Sequence, residues 1–92
     1  MGQTVRRRVI YHGRVQGVGF RATSRSIAQR FPVSGYVRNR ADGTVELIVD
    51  GLIGDVTAFL AAVSNHFGMH ITRTESEPVH GGEPMSGFSV RR

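Results

Sequence analysis

The stretch GRVQGVGFR, residues 13–21, combines three glycines with two arginines and has no acidic residue. Glycine leaves backbone N–H groups accessible and permits positive φ, and arginine presents a planar fork of hydrogen-bond donors. If a strand leads into this run and a helix follows, the amides, the helix dipole and Arg21 can all face one anion. The pattern therefore favours a phosphate-type site. A plain strand-to-helix turn with a solvated Arg21 explains the same residues equally well.

The two standard phosphate motifs do not account for this run. A Walker A loop needs a lysine, and the chain contains none. The dinucleotide fingerprint needs glycines at intervals different from those of Gly13, Gly17 and Gly19. The kind of anion therefore has to be argued from the rest of the sequence.

Composition restricts the class of protein. A chain of 92 residues with 39% hydrophobic and 21% charged residues predicts one domain over residues 1–92, complete and free-standing. No apolar run approaches the roughly 20 residues that a bilayer span needs, so no membrane association is expected. The chain has no cysteine, which excludes disulfides and thiolate metal sites and predicts a cytoplasmic protein. The net charge of +5, carried by arginine alone, fits an anionic partner or a GC-rich genome.

Hydrophobic periodicity predicts the elements that would position the glycine run. Alternation predicts strands at 5–12, 33–39 and 44–50 and a short strand within 86–92, and β-branched residues predict an edge strand at 70–77. Helical spacing predicts helices over 20–31, stopped by Pro32, and around 56–67, capped by Asp55 and ended by Gly68. The turn Ala41-Asp42-Gly43 predicts a hairpin. This order predicts an α+β, ferredoxin-like sandwich (βαββαβ), with two helices on one face of an antiparallel sheet of four to five strands.

The glycine run and a second motif together resemble the acylphosphatase family of small, free-standing enzymes. The similarity covers residues 9–51 and includes GRVQGVGFR, GYVRN at 35–39 and DGTVE at 42–46. It implies hydrolysis of acyl phosphates to a carboxylate and inorganic phosphate. It also implies that Arg21 and Asn39 are catalytic, with Asn39 positioning the attacking water. The implied phosphate cradle is the backbone of Val15, Gln16, Gly17, Val18 and Gly19.

The residue types agree with that chemistry. A guanidinium and a neutral amide supply neither a strong general base nor a nucleophile, so they suit a substrate that is already activated. An acyl phosphate is such a substrate, because its carboxylate leaving group has a conjugate-acid pKa of about 4. The sequence therefore predicts a monomeric enzyme without cofactor or metal, whose substrate is a small acyl phosphate.

The alternatives are a non-catalytic anion-binding regulator and an RNA-binding module on the same fold. The regulator could also be a detached relative of the acylphosphatase-like module that hydrogenase-maturation carbamoyltransferases contain. The positive charge, Tyr11 and Tyr36 favour RNA, but the RNP pattern is absent and no nucleic-acid partner is expected. The four histidines fall on separate predicted elements, so they do not predict a metal site. They are His12, His66, His70 and His80.

Overall fold

The structure is a computed structural model and describes residues 2–92. Its strands are β1 (Thr4–Gly13), β2 (Ser34–Asn39), β3 (Val45–Leu52), β4 (Ile71–Pro78) and β5 (Phe88–Arg91). The helices are α1 (Phe20–Ala28) and α2 (Ile53–Phe67), and Gly68–His70 form a short 3-10 helix. The predicted order of strands and helices is confirmed.

The strands form one sheet in the order β4-β1-β3-β2-β5. Every neighbouring pair is antiparallel except β2 and β5, which run parallel, with Val37 opposite Val90. The ferredoxin-like arrangement is confirmed, but the sheet is mixed rather than purely antiparallel. The reason is the connection after β4, which passes from one edge of the sheet to the other before β5 begins. Alternation of apolar residues does not reveal such a reversal.

The helix-facing side of the sheet builds the core. Val9 and Tyr11 of β1 are 2% and 1% exposed, as the period-two pattern of that strand predicts. Burial raises the pKa of the Tyr11 hydroxyl. The helices contribute Phe20 and Phe59, among others, to the same cluster. Within residues 2–92, no helix is long and apolar enough to cross a bilayer.

Two predicted helix boundaries are wrong. Helix α1 ends at Ala28 rather than at residue 31. The amides of Arg30 and Phe31 bond to carbonyls three residues back, so the chain tightens and leaves the helix before Pro32. Helix α2 begins at Ile53, which places Asp55 in its first turn rather than at the cap. There the carboxylate still complements the positive end of the helix dipole.

Arg6 anchors the connection between β4 and β5, which we call the crossing segment (residues 79–87). Its guanidinium forms a bidentate ion pair with Asp50, at 2.5 and 2.7 Å. It also donates to the carbonyl oxygens of Gly81 at 3.0 Å and Glu83 at 2.6 Å. At the far end, the Gly35 amide donates to the Gly87 carbonyl at 2.9 Å. These contacts hold the segment that delivers β5 to its place beside β2.

Candidate active site

The glycine run forms the turn between β1 and α1. Gly17 and Gly19 both have a φ of 77°, in the left-handed region that side chains with a Cβ rarely adopt. Gly19 is the N-cap residue of α1, and its carbonyl accepts the first helical hydrogen bond, from the Thr23 amide at 2.9 Å. No side chain caps this helix end. The first amides of α1 are therefore available to an anion.

Two neighbouring side chains fix the turn from inside. Val15 is fully buried in the core. The side-chain amide of Gln16 donates to the carbonyl oxygens of Arg40 and Thr44, at 2.8 and 2.9 Å. These carbonyls flank the β2–β3 turn, so Gln16 ties the glycine run to the segment that begins directly after Asn39.

Asn39 is the last residue of β2 and lies opposite Val45 in the β2–β3 hairpin. The turn after it is closed by Asp42, whose carboxylate accepts from the Thr44 hydroxyl at 2.6 Å and from the Thr44 amide at 3.0 Å. These hydrogen bonds lower the pKa of Asp42. The hairpin that the Asp-Gly pair predicts is confirmed, and it carries Asn39 to the end of the sheet where the glycine run lies.

Glu46 supports this hairpin from the other face of the sheet. Its buried carboxylate accepts from Arg8 of β1 and from Arg38 of β2, both at 2.6 Å. Burial alone would raise the pKa of Glu46, but the hydrogen bonds from Arg38 and Arg8 outweigh it and lower that pKa. The network joins three adjacent strands next to Asn39.

Arg21 lies in the first turn of α1 and is half-buried. Its Nη1 donates to the carbonyl oxygen of Arg91 in β5 at 3.3 Å. Arg91 turns its own guanidinium to the opposite face of the sheet, where it lies 3.9 Å from the centre of the Tyr36 ring. Arg21 is therefore oriented by the β5 backbone without competition from a carboxylate.

One cavity of about 220 Å³ brings together residues of α1, β2, β5 and the turn between β1 and α1. Arg21 of α1 and Asn39 of β2 both line it, and so do four other residues of the glycine run. Gln16 and Val18 do not line it. The Gln16 side chain instead bonds to the backbone of the β2–β3 turn. The complete lining is Val15, Gly17, Gly19, Phe20, Arg21, Ala22, Asn39 and Val90.

Sequence reasoning did not assign Phe20 or Val90 to the site. Phe20 directly precedes Arg21, so the helix prediction could have placed it beside that residue. No local signal points to Val90, because its neighbourhood depends on the parallel pairing of β5 with β2.

The remaining candidate groups lie elsewhere. Within residues 2–92, no group of three or more histidine, cysteine or acidic side chains is arranged to hold a metal ion. His12 contacts Glu75 of β4, with 2.5 Å between Nε2 and the carboxylate oxygen. Tyr11 is a core residue and Tyr36 is covered by Arg91. The two rings that favoured an RNA platform therefore do not form one.

The cavity's chemistry follows from its lining. Among the described residues that line it, Arg21 supplies the only charged side chain, a cation, beside the free amides of a helix N-terminus. Asn39 adds one neutral amide that can both donate and accept. Such a set can hold an anion and orient a small polar molecule next to it. It contains no carboxylate, histidine or hydroxyl that could act as base or nucleophile.

Fold and site together define a small ferredoxin-like α+β protein with an anion-attracting cavity at its first strand–helix turn. The acylphosphatase family model matches residues 7–90. An acylphosphatase of Rubrobacter xylanophilus is 42% identical and covers 97% of this chain and 82% of the relative. An acylphosphatase of Caldivirga maquilingensis is 43% identical, and the match covers 99% of this chain and 98% of the relative. The crystal structure of acylphosphatase from Bacillus subtilis superposes with a TM-score of 0.87 at 32% identity, covering 98% of this chain and all of that one. The chain belongs to the acylphosphatase family.

Proposed function

We propose that this protein hydrolyses the carboxyl–phosphate bond of acyl phosphates, releasing a carboxylate and inorganic phosphate. The observation that carries the proposal is the single cavity in which the glycine run, Arg21 and Asn39 meet. These residues come from two segments of the chain, and only the fold brings them together.

Arg21 and backbone amides of the 15–19 turn, of which Val15, Gly17 and Gly19 line the cavity, hold the phosphoryl group. A guanidinium fork matches two phosphoryl oxygens, and the left-handed turn exposes amides to the others. Phosphoryl transfer passes through a loose transition state whose charge is spread over the equatorial oxygens. Donors fixed in advance around those oxygens stabilise that charge without reorganisation.

Asn39 orients the attacking water in line with the bond that breaks. The water oxygen forms a bond to phosphorus while the bond from phosphorus to the carboxyl oxygen breaks, and the carboxylate leaves with the electron pair. A leaving group of pKa about 4 needs no protonation, so no general acid is required. The water's proton goes to the phosphate product or to solvent. Positioning and charge stabilisation are the whole contribution of the protein.

The test is turnover of benzoyl phosphate, followed as loss of the acyl phosphate, with and without chelator. The wild type should hydrolyse it equally in both, because Arg21 and the amides provide the positive charge. In Arg21→Ala, kcat/KM should fall by at least about 100-fold, the usual scale for removing one preorganised donor.

Arg25→Ala is the matched control, because Arg25 is an exposed arginine in the last turn of the same helix. It should retain wild-type turnover. Full activity in Arg21→Ala would refute the assigned role. A folded wild type that binds phosphate but hydrolyses no acyl phosphate would favour the regulatory alternative.

A further inference from the structure

The two halves of the candidate site lie on separate segments of the chain, and one side chain joins them. Within residues 2–92, no backbone–backbone hydrogen bond connects residues 15–18 to the β2–β3 hairpin. The Arg14 amide donates to the His70 carbonyl oxygen at 2.8 Å, which fixes the start of the run against the 3-10 helix and not against the hairpin. The hydrogen bonds between the glycine run and the hairpin therefore come from the Gln16 side chain.

Gln16 makes this contact with both hydrogens of its side-chain amide nitrogen. Nε2 donates to the Arg40 carbonyl oxygen at 2.8 Å and to the Thr44 carbonyl oxygen at 2.9 Å. Both carbonyls also close the turn, because that of Arg40 accepts from the Gly43 amide at 3.2 Å and that of Thr44 accepts from the Arg40 amide at 2.9 Å. A carbonyl oxygen has two lone pairs, so Gln16 occupies the acceptor sites that the turn leaves over. The side chain therefore holds both ends of the β2–β3 turn at once.

The neighbours of these bonded groups line the cavity, although Gln16 itself does not. Gln16 lies between Val15 and Gly17 along the chain, and both of these residues line the cavity. Arg40, whose carbonyl accepts from Gln16, directly follows Asn39, which lines the cavity from the hairpin side. A change in the Gln16 contact would therefore alter the separation between the glycine run and Asn39 without removing a group from the cavity.

We infer that Gln16 is a positioning residue, which fixes the distance between a phosphoryl group on the glycine run and the water that Asn39 orients. This inference rests on the proposed hydrolysis. In-line attack needs the reacting atoms about 3–3.5 Å apart and aligned, and a displacement of about 1 Å can cost about 100-fold in rate. Binding of phosphate alone has no such requirement, because Arg21 and the turn amides provide it. Loss of the Gln16 contact should therefore lower kcat and spare phosphate affinity.

The first test is Gln16→Met, which keeps the length of the side chain and removes both donors. Its kcat for benzoyl phosphate should fall at least about tenfold, while the inhibition constant for inorganic phosphate stays within about twofold of wild type. Both are measured well below the unfolding transition and per folded molecule, so that a loss of stability alone changes neither. Gln16→Glu keeps the shape of glutamine and also removes the two donors, and it serves if Gln16→Met does not fold.

Gln29→Met is the matched control, because Gln29 is an exposed glutamine at the other end of α1. It should retain the wild-type kcat and inhibition constant.

A double-mutant cycle with Asn39→Ala separates positioning from a general structural role. If Gln16 acts through the water that Asn39 orients, adding Gln16→Met to Asn39→Ala should change kcat by less than about twofold. A structural role independent of Asn39 would lower kcat by the same factor in both backgrounds.

Three results would overturn the positioning role while leaving hydrolysis intact. They are a wild-type kcat in the Gln16 variant, a loss of kcat that is fully additive with that of Asn39→Ala, and an inhibition constant that rises as much as kcat falls. The last result would mean that Gln16 shapes the phosphate cradle itself. Absence of benzoyl phosphate hydrolysis by the wild type would instead overturn the proposed function.

Discussion

In the proposed mechanism, Asn39 places a neutral amide where a carboxylate would repel the bound phosphoryl group. A carboxylate at this position would face the phosphoryl oxygens, and like charges a few ångströms apart repel each other strongly in a half-enclosed cavity. An amide avoids that repulsion and still accepts a hydrogen bond from water through its oxygen. In the proposed mechanism, the residue type therefore separates water positioning from phosphate binding.

Two substitutions distinguish these contributions. Asn39→Asp, which preserves shape, should raise the inhibition constant for inorganic phosphate at neutral pH by at least about tenfold, because it adds a like charge. Asn39→Ala should lower kcat strongly while leaving that constant within about threefold of wild type. Turnover of benzoyl phosphate at a series of phosphate concentrations gives kcat and the inhibition constant of each variant. For a variant without activity, phosphate titration followed by NMR gives the phosphate affinity. Unchanged phosphate affinity in Asn39→Asp would place Asn39 away from the phosphoryl group.

At the residue scale, the sequence was informative where local geometry restricts residue type. The glycines of the run permit positive φ, and Gly17 and Gly19 adopt it. The Asp-Gly pair predicted a hairpin, and that hairpin carries Asn39. Val90 could not be assigned, because a short strand with ordinary alternation does not indicate which neighbour it pairs with.

The strands beneath the site are joined by Glu46, which links β3 to both β1 and β2. Its carboxylate is nearly buried and is held by Arg8 and Arg38. Because these guanidinium groups lower the pKa of Glu46 in the folded protein, the folded state binds a proton less readily than the unfolded state. The interaction is therefore fully present above the unfolded pKa of about 4.3 and is lost as pH falls through the lower folded value.

Glu46→Gln should remove the pH dependence of stability that the Glu46 carboxylate causes. At neutral pH the variant should be less stable by about 1–2 kcal/mol, through loss of charge-assisted hydrogen bonds. The difference should shrink as pH is lowered from about 5 to about 3, because the wild-type carboxylate becomes protonated. Urea unfolding at a series of pH values measures it. Glu77→Gln, at the exposed partner of Arg8, should show a much smaller effect; equal pH slopes in wild type and Glu46→Gln would contradict the account.

The end of α1 and the direction of β5 could not be predicted from the periodicity of apolar residues. Alternation and helical spacing identified the other strands and both helices, because burial on one face imposes a period, whereas β4 was identified by its β-branched residues. The end of α1 was missed because Phe31 continues the apolar spacing after the helical hydrogen bonds have stopped. The direction of β5 was missed because it depends on the crossing segment, whose course is fixed by contacts of Arg6 with residues 75 and 77 positions away.

On the scale of the whole molecule, the positive charge has two uses. Part of it is internal, since Arg6, Arg8 and Arg38 pair with carboxylates across the open face of the sheet. Arg21 instead lines the cavity, and the net charge of +5 would attract the anionic substrate that we propose. The fold keeps the paired arginines on the open face of the sheet and Arg21 on the helix side.

The central claim is that water attacks phosphorus within this cavity. Hydrolysis of benzoyl phosphate in ¹⁸O-labelled water tests it directly, with the label located by mass spectrometry of both products. Attack at phosphorus predicts ¹⁸O in inorganic phosphate and none above background in benzoate. Label in benzoate would mean attack at the acyl carbon, and it would contradict a site built to hold the phosphoryl group and aim a water at it.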